Sequence, residues 1–162
     1  MHLVMKRTGA ATPSANRITL LRDTDGDGVV DTRSTFLEKL PLRHRPCRQG
    51  LGVADTDALL RFEYAPGETR ASGPPTKVTD LPGGPINHHW TKNVIASPDG
   101  KRLYVAVGSN SNAAENGIKA EAERAAIWEV DPSLGRHRVF ASGLRNPVAW
   151  HGNRRAEWLR RD

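Results

Sequence analysis

With a single cysteine, Cys47, the 162-residue chain can form no internal disulfide and no zinc site built on paired thiolates. Long apolar runs are missing too. No stretch approaches the ~20 consecutive apolar residues a spanning helix needs, so no membrane span is expected. The first nine residues, Met1 to Gly9, lack the apolar core of a secretory signal, and nothing in them directs export. Acidic residues are the scarcer charge, 18 against 24 lysines and arginines, which leaves a net charge of +6. Such an excess ordinarily raises nucleic acid or anionic surfaces as partners. Its distribution points away from them. Residues 1–15 carry +2, 41–53 carry +3 and 148–162 carry +2, whereas everything else sums to −1. The body of the protein is almost neutral, and no nucleic-acid partner is expected.

What the chain does have is 15 glycines and 11 prolines spread along its length, with short runs of Val, Ile, Leu, Phe and Tyr between them. This is the pattern of many short strands, so the fold class is read as all-β. Strands are predicted at 17–21, 35–40, 58–64, 76–81, 93–97, 102–107, 126–130 and 137–142. Ser97-Pro98-Asp99-Gly100 places its turn residues between two of these and predicts a hairpin. The pairs 17–21 with 35–40, 58–64 with 76–81, and 126–130 with 137–142 look like versions of one unit, and Ile18 precedes Leu60 by 42 residues. Four-stranded units repeating every ~40–45 residues are β-propeller blades, each burying its faces only against neighbours. Three to four such blades, a partial propeller, fit in this chain. Residues 112–125 break the pattern, and Glu115 with Lys119 at i,i+4 predicts a short helix or ordered loop.

The metal signal is Asp23-Thr24-Asp25-Gly26-Asp27-Gly28-Val29-Val30-Asp31. Carboxylates of Asp23, Asp25, Asp27 and Asp31 can converge on one ion, with the backbone carbonyl of Val29 adding an oxygen, which is a hard-cation donor set suited to calcium. Ser34 stands where an EF-hand needs its bidentate Glu, so a calcium loop between strands is expected instead. The plain alternative is an Asp/Gly turn that binds nothing.

Two further stretches carry chemistry. In Gly84-Pro85-Ile86-Asn87-His88-His89-Trp90 a neutral imidazole of His88 or His89 can accept a hydroxyl proton near neutral pH. In Gly143-Leu144-Arg145-Asn146-Pro147 a fixed guanidinium can stabilise a developing oxyanion. Each alone is also an ordinary loop or turn.

Taken in order, these motifs with Ser97-Pro98-Asp99-Gly100-Lys101-Arg102-Leu103-Tyr104-Val105-Ala106-Val107-Gly108-Ser109-Asn110 between them resemble the pyrroloquinoline quinone (PQQ)-dependent sugar dehydrogenases, most closely the sorbosone dehydrogenase branch. The resemblance covers 16–40 and 54–147. It implies a six-bladed propeller binding PQQ and calcium, oxidation of an aldose or sorbosone-like sugar, and a periplasmic location. It implies His89 as the base on the substrate hydroxyl, Arg145 and Asn146 as cofactor contacts with Arg145 stabilising charge on the reducing quinone, and His88, Asn87 and Trp90 as substrate contacts. Where the soluble glucose-oxidising relatives place an acidic partner for the histidine after Val-Gly, this chain has Ser109. Residues 41–53 and the tail 148–162 depart from the pattern and read as frame-shifted coding. The partial propeller domain is therefore set at 16–147 between atypical or disordered termini, 1–15 and 148–162. The later blades are expected to be absent, leaving a fragment inactive alone unless another chain supplies them. A calcium-stabilised, non-enzymatic propeller module that binds a partner is the competing reading.

Overall fold

The computed structural model describes residues 17–38, 50–65, 67–84, 87–90 and 92–148. The expectations for 1–15, for 41–49 and for 149–162 lie outside the described residues. Nine strands form three antiparallel sheets, with no α-helix among the described residues. The first sheet pairs β1 (Ile18–Arg22) with β2 (Thr32–Leu37). The second orders β3 (Leu51–Ala54), β4 (Ala58–Glu63) and β5 (Ser72–Asp80). The third is a four-stranded meander of β6 (Val94–Ala96), β7 (Leu103–Val107), β8 (Ala126–Val130) and β9 (His137–Ala141). All eight predicted strands are present, the hairpin at Ser97 included, where the Ser97 N–H reaches the Arg102 carbonyl at 2.9 Å.

β3 escaped the sequence reading. It is only four residues long, contains Gly52, and begins inside the segment set aside as frame-shifted, yet Leu51 and Val53 are buried in it. Among the described residues, only the third sheet has the expected four strands. The 112–125 stretch holds a single 3-10 turn, Ile118–Glu121. Glu115 does not close on Lys119. Its carboxylate accepts the Ala113 N–H at 2.8 Å instead.

Strand alternation explains the stacking. Leu51, Val53 and Phe62 point to one face of the second sheet and pack against Phe36, Ile18 and Leu20 of the first. Ala54 and Leu59 point to the other face and join Val94, Leu103, Val105, Val107, Ala126, Trp128 and Val130 of the third. The register pairs Ala54 with Leu59 and Val53 with Leu60, so facing residues lie on the same side. The middle sheet is thus covered on both faces. At its seam with the third sheet, Gly135 (φ 67°) leans so close that a Cβ there would lie 2.4 Å from the Val78 carbonyl oxygen. β9 is the exposed outer strand. Its Arg138 bonds both carboxylate oxygens of Glu129 at 2.9 Å, and His137 stacks on Trp128 with centroids 3.8 Å apart.

Candidate active site

The chemistry collects where β7 ends. Val107 finishes the strand, and Gly108 follows because nothing larger fits: a Cβ would stand 2.5 Å from both the Cβ and the carbonyl oxygen of His89, and 2.9 Å from Asn146 Oδ1. Ser109 then joins the two expected motifs. Its backbone N–H donates to the Arg145 carbonyl at 2.9 Å, its carbonyl accepts the His89 N–H at 3.3 Å, and its Oγ lies 2.7 Å from His89 Nδ1. His89, Arg145 and Asn146, 56 to 57 residues apart in sequence, are thereby brought to one place, as the motif order requires.

Electrostatics keep the imidazole neutral. Burial lowers the His89 pKa, and the Arg145 guanidinium and His88 lower it further, against a smaller opposing pull from the Ser109 backbone and Glu121. A neutral ring near pH 7 can accept a proton. Arg145 is itself held: Nε donates to the Asn112 carbonyl at 3.1 Å, and Nη2 donates to Asn112 Oδ1. Asn146 Oδ1 is buried with no hydrogen-bond partner, an acceptor awaiting a donor.

His88 meets His89 edge-to-face at 5.0 Å and lines an open polar cleft of about 440 Å³ together with Asn87, Asn110, Asn112, Glu115 and Asn116. Asn87 accepts from Arg124 Nη1 at 2.8 Å, while its own Nδ2 is buried and unpartnered. Trp90 lies at the far end of the same loop, where its carbonyl receives Lys92 Nζ at 3.5 Å. Lys92 is only 2% exposed and has no carboxylate partner among the described residues. Burial, then the Arg124 charge, brings its pKa down to about 8.

Sequence reasoning missed Asn110, Asn112, Lys92, Glu121 and Arg124. Glu121 carried no motif, yet it anchors the loop: Oε2 accepts the Asn110 N–H at 2.7 Å, and Oε1 accepts the Ser111 N–H at 3.0 Å and hydroxyl at 2.8 Å.

The acidic loop sits elsewhere, between β1 and β2, the two strands that supply Ile18, Leu20 and Phe36 to the other core cluster. Carboxylate oxygens of Asp23, Asp25 and Asp27 come within 4.8 Å of one another, all three residues being exposed. Asp31 turns to Thr24, accepting its N–H at 3.1 Å and its hydroxyl. Val29 is exposed, and its N–H donates to Asp27 Oδ1 at 2.7 Å. The Gly28 N–H lowers the Asp23 pKa most, with Gly26 adding to it against burial.

No helix among the described residues is long and apolar enough to cross a membrane. No curated protein matches the chain. Among solved structures, the holo PQQ domain of a pyranose dehydrogenase from Coprinopsis cinerea is similar with a TM-score of 0.68 at 20% identity, over 79% of this chain and 34% of that one. The iodide structure of a Trichoderma reesei carbohydrate-active enzyme of family AA12 gives 0.64 at 16%, over 81% and 36%. The calcium structure of that family from the same organism gives 0.56 at 14%, over 79% and 32%. The chain spans about a third of the length of these structures. At such identities the likeness is one of fold, and the all-β antiparallel architecture is shared with a PQQ domain. A family model described as "Domain of unknown function (DUF7133)" matches residues 4–159, nearly the whole chain, and the chain belongs to that family.

Proposed function

We propose that this chain carries part of the active face of a quinoprotein dehydrogenase that oxidises an aldose or sorbosone-like sugar. The observation that supports it most is the meeting of His89, Arg145 and Asn146 around Ser109, in a fold like that of a PQQ domain. The residues suit the cofactor. Asn146 Oδ1 is an orphaned buried acceptor, and Arg145 keeps N–H donors beyond those spent on Asn112. PQQ, when bound, supplies an ortho-quinone that accepts two electrons as hydride. Asn146 would accept from a ring N–H, and Arg145 would hold a quinone or carboxylate oxygen and stabilise negative charge there.

His89 would take the hydroxyl proton of the sugar as its carbon is oxidised, a role its lowered pKa permits. The amide-lined cleft beside His88 and Asn87 would take the sugar's other hydroxyls, with Trp90 a further contact. Calcium would be held by Asp23, Asp25 and Asp27, joined by the Val29 carbonyl and by Asp31 only if it leaves Thr24. Its place on the first sheet makes that ion structural. Remaining propeller blades would come from another chain or a longer product, and the periplasm is the expected location.

The test is titration of the whole chain with PQQ in calcium, followed by tryptophan fluorescence, alongside dye-linked aldose oxidation. Saturable quenching that weakens at least tenfold in Arg145→Ala supports the reading, and no quenching at any calcium concentration ends it. The exposed Asp cluster, distant in the fold from His89, favours a second reading as a calcium-stabilised, non-enzymatic module. A calcium-dependent rise in Tm that vanishes in Asp25→Ala, with no PQQ binding, would select it.

A further inference from the structure

We infer that Ser109 is the positioning residue that fixes His89 as the Nδ1–H tautomer and leaves the Nε2 lone pair to face the substrate. The inference rests on His89 being the base, but it concerns the ring itself and is testable without cofactor.

A serine hydroxyl has one proton to give. Ser109 Oγ lies 2.6 Å from the Ser111 carbonyl oxygen, which can only accept, so the proton of Ser109 is committed there. The 2.7 Å contact from the same Oγ to His89 Nδ1 must then be donated by the ring. The reverse assignment would press a carbonyl oxygen against a hydroxyl lone pair with no proton between them, taking from a buried acceptor its hydroxyl donor. With Nδ1 protonated in a neutral ring, Nε2 is the acceptor.

The chain of bonds is anchored at both ends. Glu121 holds Ser111 through its N–H and hydroxyl and holds Asn110 through its N–H, which fixes the Ser111 carbonyl. Arg145 and His89 pin the backbone of Ser109 on either side. The charged and titratable groups acting on the ring are Arg145, His88 and Glu121; the first two oppose its protonation, while Glu121 is the smaller, opposite influence. A hydroxyl used this way orients the imidazole as an acidic partner would, without adding the negative charge that would raise its pKa.

The experiment is long-range proton–nitrogen correlation on the full chain with nitrogen-15-labelled histidine at neutral pH, with amide spectra as the check on folding. The wild-type protein should show His89 protonated at Nδ1 and bare at Nε2. Ser109→Ala should convert His89 to predominantly the Nε2–H form that free imidazole prefers, Ser109→Thr should retain the wild-type form, and Ser111→Ala, which keeps its carbonyl, should also retain it. A wild-type ring found as Nε2–H overturns the inference whatever the variants do. So does an Ser109→Ala protein with the Nδ1–H form intact. Failure of PQQ to bind would leave these ring signals unchanged, so it would remove the proposed function and not this assignment.

Discussion

The acidic loop of residues 23–31 and the cluster around His89 are both polar, yet they are built in opposite ways. The aspartates of the acidic loop accept from donors only two to seven residues away, on an exposed turn whose backbone returns to the end of β1 through the Asp31 N–H to the Arg22 carbonyl at 3.2 Å. The His89 cluster is tied by bonds between residues 10 to 37 apart, through Ser109, Glu121, Asn112 and Arg124. A self-contained loop can change without consequence beyond itself. A site assembled from four segments shares its stability among them, and a loss at one member is felt by the others.

The largest expected effect comes from the buried lysine at the end of the histidine loop. With its pKa lowered to about 8, Lys92 is protonated less readily folded than unfolded, so its penalty is full below pH 8 and is lost as the pH climbs from about 8 to 10.5. Lys92→Met should therefore raise stability at pH 7 by about 3 kcal/mol and flatten that alkaline rise, as read by urea unfolding across pH.

Glu121→Ala should cost about 1.5–3 kcal/mol by removing an ionised acceptor from three donors. Although burial opposes its ionisation, the Asn110 and Ser111 donors and Arg124 hold its carboxyl below the ordinary value. The stabilisation is present above pH 4.5 and fades as the pH falls through the lowered folded value. Combined with Ser109→Ala it should couple by about 0.5–3 kcal/mol, whereas Asp25→Ala combined with Ser109→Ala should add to within about 0.5 kcal/mol. Coupling of the second pair at the size of the first would erase the contrast between the two regions.

Gly108→Ala should destabilise by about 1–3 kcal/mol, because a Cβ would collide with His89 and crowd Asn146, and it should weaken PQQ quenching along with folding. Smallest of all, Asp25→Ala without calcium should stay within about 0.5 kcal/mol of the parent in Tm-derived stability, since its exposed carboxylate accepts the Asp27 N–H at a long 3.3 Å.

The strands were legible because alternation and turn residues are local signals. The Asp-Gly loop was legible as a turn for the same reason, but of the four carboxylates expected to converge only Asp23, Asp25 and Asp27 cluster, Asp31 being turned to Thr24. β3 was not, since four residues around Gly52 leave too little alternation to count. His89, Arg145 and Asn146 could be named from motif order, but what joins them could not. Ser109 read as a missing acid, and only its 2.6 Å bond to Ser111 gives it a purpose. Glu121 and Arg124 act across distances that no spacing rule covers, and Lys92 is buried although its residue type is almost always exposed.

The bare Gly135 against the Val78 carbonyl has one more consequence. At that corner of the second and third sheets the Gly135 main chain meets the Val78 main chain, so no side chain can be added at 135 without pushing the two apart. The approach of the two chains at this corner therefore depends on position 135 carrying nothing but hydrogen.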